Sequence, residues 1–459
     1  MKRQVMNKII KTFLCIPFTL VVLLTTSCLK PEPCNSTFQF EQESVTLKVG
    51  EEVTLQFSGY VSKKTQISWS VEKPNVASVD NGTVRALHAG TTLVYAEATI
   101  NGVKKTAQCT IIVPSEGPQF TDPNLPKRIL QLHPEIDINK DGAISPEEAL
   151  LLTELNLAIE DKTKATAEEK ITSVEGIELF SNLTSLNLKN QFIKDASPIE
   201  ALTKLEKLYI TYTEIPSIQV KGMPALRDLR LFGNKNLTAI DVRSNTKLDT
   251  LYIQDTQLSE IDLTNNKELI DLNLNRTKLT RLILADLPKL NQVLAVKCEI
   301  STILFQGLPT IEKIYIDNNQ LTRVALKDLP ALMHLSVYSN KLQTLELDLP
   351  KLMFLHAHEN ELRSVDLSKL PMLFHLDIDK NPLVKIDLST NKIIRDLRAD
   401  NTPSLEEINL RNGEYNEDAQ YEIKEGNTGL KRVLVDSGDE ETHLRNLFPA
   451  GSGVAILAQ

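Results

Sequence analysis

Between Asp137 and Glu148, oxygen-bearing side chains recur at a spacing that suits a hard divalent cation. Asp137, Asn139 and Asp141 take positions one, three and five of a twelve-residue loop, Ser145 position nine and Glu148 position twelve. Calcium takes about six to eight oxygens from alternating side chains, one backbone carbonyl and a terminal bidentate acid. Ala143 would give the carbonyl at position seven, and Ser145 would act through water. Gly142 permits the sharp turn between them, and Ile144 would point into the core. Asp137, Asp141 and Glu148 would repel one another without a cation, so the loop is predicted to bind calcium. There is one such loop, which implies a structural ion rather than a cooperative sensor. Single extracellular modules of this kind bind calcium at about 10⁻⁴ to 10⁻³ M.

A second group combines imidazole with carboxylate. Of seven histidines, His334, His356, His358 and His375 fall in one stretch, with Asp377 and Asp379 close behind. On neighbouring strands about 4.8 Å apart, with alternate residues about 6.7 Å apart, His356 would sit beside Asp377 and His358 beside Asp379. Those distances allow a zinc-type site from His356, His358, His375 and Asp377 or Asp379, and they equally allow ordinary histidine–carboxylate pairs. The short chelating spacings of dedicated metal motifs are missing. Catalytic patterns are missing too: there is no zinc-protease helix motif, nucleophile elbow or glycine-rich phosphate loop, and glycine is 17 of 459 residues. His88, His133 and His443 lie in separate sequence contexts. The chain is therefore expected not to be an enzyme.

The compartment follows from the amino terminus. Lys2, Arg3, Lys8 and Lys11 precede an apolar stretch from Thr12 to Leu24, long enough for a signal-peptide core and short of the roughly 20 residues that span a bilayer. Its end, Leu24-Thr25-Thr26-Ser27-Cys28, resembles a bacterial lipoprotein processing site. The resemblance implies that residues 1–27 are removed and that Cys28 carries the lipid, whereas an ordinary secretory signal would leave a soluble protein. Removal takes four of 51 basic residues and leaves 60 acids, so the net charge falls from −9 to −13. That balance opposes nucleic-acid binding, which needs a basic surface.

The elements that position these residues come in two kinds. After a linker over 28–37, residues 38–114 alternate with period two: Val45, Leu47 and Val49; Val53, Leu55 and Phe57; Ile67, Trp69 and Val71; Ala107, Cys109, Ile111 and Val113. Turns fall at Val49-Gly50-Glu51, Lys73-Pro74-Asn75 and Asp80-Asn81-Gly82, which predicts an all-β sandwich. Ile67-Ser68-Trp69-Ser70-Val71, Val76-Ala77-Ser78-Val79-Asp80, Ala89-Gly90-Thr91 and the closing Thr110-Ile111-Ile112-Val113 resemble the bacterial immunoglobulin-like group 2 family. Such domains imply a surface spacer or adhesion module. Cys109 falls on the inward phase, as a buried thiol or in a bridge to Cys34.

The calcium loop lies in a helical amino-terminal cap over 119–151, with a short helix expected from Asn124 to Glu135 whose apolar side is Ile129, Leu130 and Leu132. The loop itself matches the EF-hand loop. From Leu152 the phrase Leu-x-x-Leu-x-Leu recurs, and between Leu183 and Ile394 the copies follow at steps of 20 to 22 residues. This is the leucine-rich repeat signature, expected over 152–410 as a parallel solenoid of about thirteen strands. A final partial copy starts at Leu430, and residues 411–459 are expected to form an irregular segment and a carboxy-terminal cap. Three residues after the last leucine stands a short polar or thiol side chain, as at Asn234, Thr277, Cys298 and Asn319, able to satisfy buried backbone where the chain turns.

Non-leucine positions of the strands form the concave face. The column between the last two leucines holds Tyr209, Arg230, Tyr252, Tyr315, His356 and Arg398, and two residues on stand Phe232 and Tyr338. Large rigid side chains give contact area at low entropy cost, so this face is expected to bind a protein or glycan. The whole ordering resembles surface leucine-rich repeat lipoproteins of Bacteroides-type bacteria. It implies a monomer held to the outer membrane only through its lipid and displayed at the cell surface. The alternative is a periplasm-facing scaffold holding another envelope component.

Overall fold

The computed structural model describes residues 38–114 and 120–459. Cys28, Cys34 and the expected bridge to Cys109 lie outside the described residues or depend on them. The described residues divide into two compact units, 38–87 with 91–113, and 88–90 with 114 and 120–459.

The first unit is a two-sheet sandwich. Its strands are β1 (Ser44–Thr46), β2 (Glu52–Thr54), β3 (Ile67–Val71), β4 (Ala77–Asp80), β5 (Thr83–Ala86), β6 (Gly90–Ile100) and β7 (Val103–Val113). One sheet runs β1-β7-β6-β3 and the other β2-β5-β4. On β7, Ala107, Cys109, Ile111 and Val113 are buried and alternate with outward residues, as the pleat requires. Phe40 stacks between Phe57 and Trp69, with ring centroids 5.0 and 5.7 Å away. The turn between β4 and β5 takes positive φ at Asn81 (48°) and Gly82 (85°). Gly82 is needed twice, because a Cβ there would also meet the Trp69 ring at 2.9 Å. Val49 departs from the expected inward phase: it sits at the tip of the turn into β2 and is 53% exposed. Cys109 is buried in this core, and burial pushes its thiol up.

The second unit is a solenoid built on a thirteen-stranded parallel sheet that runs from Glu154–Asn156 to Gln420–Glu422. Adjacent strands pair leucine to leucine: Leu208 faces Leu229, Leu229 faces Leu251, and Leu355 faces Leu376. The register is forced, since a one-residue slip would turn every leucine to solvent. One continuous core extends from Leu125 to Ile456. On the opposite wall the second apolar triplet forms shorter parallel sheets, such as Arg281–Ala285 with Thr302–Gln306. The Leu430 copy joins that wall through Arg432–Val435. The thirteenth strand is therefore Gln420–Glu422, inside the segment expected to be irregular, and a helix Asp439–Leu447 closes the end.

From the second sheet strand onward the turns pass through the left-handed region, at Tyr212 (φ 56°), Asp255 (60°), Arg276 (55°), Lys297 (57°), Asn318 (55°) and Lys380 (52°) among others. That conformation costs about 1–2 kcal/mol for a residue with a Cβ. The next residue offsets it. Asn319 donates from Nδ2 to Ala295 O (2.8 Å) and Ile316 O (2.9 Å), and accepts at Oδ1 from Ile300 N (3.0 Å). Asn340, Asn360 and Asn381 repeat the pattern. Cys298 takes its place in the same ladder, with Sγ 3.2 Å from Leu274 O, and burial pushes its thiol up.

At the amino end the cap helix is Asn124–Leu132, and it buries Leu125 and Ile129. Leu132, expected on the apolar side, is 39% exposed because the i, i+4 pair Leu125 and Ile129 already faces the core.

Candidate functional site

The solenoid sheet presents three columns of outward side chains. Strand register places Asn187, Tyr209, Arg230, Tyr252 and Asn273 side by side, and farther along Tyr315, Ser336, His356, Asp377 and Arg398. A column two residues earlier, missed in the sequence, brings in Asp228, Lys313, His334, Phe354, His375 and Asp396. These are the residues just before the middle leucine of each motif, so the repeat phase itself held the signal.

Around Arg230 the columns make one closed cluster. Its guanidinium lies over the Tyr209 ring at 4.8 Å and the Tyr252 ring at 5.2 Å. It also forks onto Asp228, Nε to Oδ1 at 2.9 Å and Nη2 to Oδ2 at 2.8 Å, and the Tyr209 hydroxyl donates to the same Oδ2 at 2.7 Å. Burial and that bond to Asp228 push the Tyr209 phenol up to about 12. The aromatic faces are thus held by a cation whose charge is already balanced. The other expected contact residues are placed apart from this cluster. Phe232 meets Tyr212 edge-on at 5.2 Å, Tyr338 stacks on His358 at 4.4 Å, and Arg398 lies 3.6 Å from Glu422. Tyr315 stands half-buried in the same column, with its phenol pushed up by burial.

The histidines gather at the other end of the sheet. His334 stacks on Phe354 (4.3 Å, 10°), and the His356 and His375 rings are 4.9 Å apart. His358 leans to Asp377 rather than Asp379: its Nδ1 lies 2.9 Å from Asp377 Oδ2, close in distance but not aligned as a hydrogen bond. His356 Nδ1 is 3.8 Å from the same oxygen, and His375 Nδ1 is 3.4 Å from Asp396 Oδ2. Burial would raise Asp377, but the imidazoles of His356 and His358 outweigh it and hold the carboxyl well below its usual range. Asp379 goes the other way, to about 6, through burial and the neighbouring Asp377; its Oδ1 accepts from Asp400 N at 2.7 Å. Asp317, also buried, is pushed up to about 6 despite accepting from the Ser336 hydroxyl and Tyr338 N.

In the Asp137–Glu148 loop, Asp137 accepts from Asp141 N and Gly142 N (3.1 Å each), Asn139 Oδ1 from Asp141 N (2.9 Å) and Asp141 Oδ1 from Ala143 N (2.8 Å). These nested turns put successive oxygens on the inside of the loop. Ile144 is 2% exposed, in the core as expected. Ser145 and Glu148 form a reciprocal capping box at the start of the Pro146–Ala149 helix. Glu148 directs Oε1 to Ile138 N and Oε2 to Ser145 N and Oγ, at 2.9 Å each. The donor set is all hard oxygen and fits calcium in kind, while bidentate closure by Glu148 requires it to leave those amides.

Residues 36–111 match the family described as Bacterial Ig-like domain (group 2). No curated protein matches the chain. Among solved structures, the functional domain of InlJ from Listeria monocytogenes, described as including a cysteine ladder, is similar over 74% of this chain and 69% of its own, at 22% identity and TM-score 0.54. An internalin (inlF) from Listeria monocytogenes is similar over 73% of this chain and 95% of its own, at 21% identity and TM-score 0.50. Together with the strand order, these likenesses give the fold: an Ig-like domain followed by a parallel leucine-rich repeat solenoid of the kind seen in internalins.

Proposed function

We propose that the protein is a non-enzymatic recognition molecule of the bacterial surface. In this reading it is anchored to the outer membrane by lipid on Cys28, with the sandwich as a spacer and the solenoid sheet as the gripping face. The observation that carries the reading is the Tyr209–Arg230–Tyr252 stack. Its side chains are already ordered before any partner arrives, so binding costs less rotamer entropy. Arg230 covers a face of each ring and is itself neutralised by Asp228. The cation occupies one face of each ring, which suits a protein surface better than a sugar that stacks on an open aromatic face.

The Asp137–Glu148 loop holds a structural calcium ion in this account, stiffening the cap against the first repeats. Calcium would draw Glu148 away from the Ile138 and Ser145 amides and relieve the repulsion among the three acids.

The test has two parts. Tyr209→Ala/Tyr252→Ala should lose at least tenfold in affinity for a captured partner while its far-UV spectrum stays that of wild type; unchanged binding would move the site elsewhere. Protease added to whole cells should cleave a displayed protein, and full protection would favour the periplasm-facing scaffold instead.

A further inference from the structure

We propose that His356, His375 and Asp377 form a binding site for a zinc-class divalent metal ion on the outer face of the solenoid sheet. Each of the three offers a ligand atom, and these atoms all lie within 4.8 Å of one another. Tetrahedral zinc with bonds of about 2.0–2.2 Å places its ligands roughly 3.4 Å apart. Binding would draw these atoms together by about 1 Å.

Two buried polar atoms argue for an occupant. Asp377 is 7% exposed and its Oδ1 has no hydrogen-bond partner; His375 Nε2 is likewise buried and unanswered. Leaving either group unpaired costs about 1–3 kcal/mol, and more for a charged one. A bound ion would answer both atoms at once.

The surroundings are those of a metal ligand set. Metal-binding imidazoles usually present one nitrogen to the ion and the other to a carboxylate, which fixes the ring. His375 has this arrangement, with Nδ1 toward Asp396 at 3.4 Å and Nε2 free. Asp377 is steadied on its Oδ2 side by His358, itself stacked on Tyr338, and keeps Oδ1 free. Two nitrogens and one oxygen suit zinc better than calcium, which prefers oxygen alone. Three protein ligands also leave a fourth position of the tetrahedral shell for water or another donor. The site stands whether or not the outer face of the sheet binds a protein.

The test uses zinc alone with the full mature chain, held in excess calcium so that the Asp137–Glu148 loop cannot take the added metal. Wild type should bind one zinc ion per chain, and His375→Gln should weaken that binding at least tenfold. Asp396→Asn, acting only through the orientation of His375, should weaken it about tenfold with the stoichiometry unchanged. Cobalt substitution gives a readout that needs no variant: a tetrahedral visible spectrum supports the site, and an octahedral, water-like one overturns it. Equal zinc affinity in wild type and a His356→Ala/His375→Ala variant of native circular dichroism would also overturn it.

Discussion

The two ends of the solenoid sheet use one scaffold to opposite effect. Around Arg230 each charge is answered from within: Asp228 takes the guanidinium and the Tyr209 hydroxyl, and the two rings clamp the cation. Around Asp377 the same columns leave polar atoms unanswered, at Asp377 Oδ1 and His375 Nε2. Strand spacing and register are alike in both places, so the backbone decides only where a side chain stands. Residue type decides whether that stretch is complete in itself or calls for a ligand. Asp228 and His375 hold equivalent first-column positions, and beside them Arg230 stands where Asp377 does, so one cluster pairs its charges and the other does not.

The strongest way to break the comparison is to remove what both ends share. Asn319→Ala leaves Ala295 O and Ile300 N unpaired inside the coil, while Ile316 O keeps its bond from Asn340 Nδ2. At about 1–3 kcal/mol for each buried group, the variant should lose roughly 2 kcal/mol or more. The urea midpoint measures it, and a loss under about 1 kcal/mol would mean that the ladder does not hold the sheet.

A smaller effect isolates the histidine end. The Asp317 carboxyl titrates near 6 in the fold, above the ordinary carboxylate value of 3.8. A raised acid contributes stability below its unfolded pKa and loses it as pH rises through the folded pKa. Asp317→Asn should therefore gain roughly 1–2 kcal/mol at pH 7 and nothing at pH 4. A gain at both values would assign the effect to packing rather than charge.

The tyrosine end has its own probe. Asp228→Ala frees Arg230 and the Tyr209 hydroxyl, so partner affinity should fall by about 1 kcal/mol. The Tyr209 phenol should also titrate below its present value, seen as a shift in ultraviolet difference absorbance. Smallest of all, Arg276→Ala removes an exposed pair with Asp255 that belongs to neither cluster. Stability should change by no more than about 0.5 kcal/mol, and a larger loss would show that the rim matters.

Much of this surface was legible in the leucine phase, because a strand with one buried face fixes which residues point outward. The columns through Tyr209 and Phe232 follow from it directly. The column through Asp228 and His375 obeys the same rule two residues earlier, and following only two columns hid the partners that complete each cluster. The thirteenth strand escaped because Tyr421 stands where the motif has leucine, after an insertion that breaks the period. Asn245, Asn266 and Asn391, which bond buried carbonyls at the return corner, were not legible, since their role depends on neighbouring coils. The lean of His358 toward Asp377 is a rotamer choice set by the Tyr338 stack, and spacing carries no record of it.

Hydroxyl-radical footprinting of the chain with and without its captured partner tests the central claim most directly. Side-chain labelling of Tyr209, Tyr252 and Tyr338 should drop on binding, while Tyr60 of the sandwich, 85% exposed, keeps its reactivity. Protection of Tyr60 with the three sheet tyrosines unchanged would contradict the account and place recognition on the amino-terminal domain.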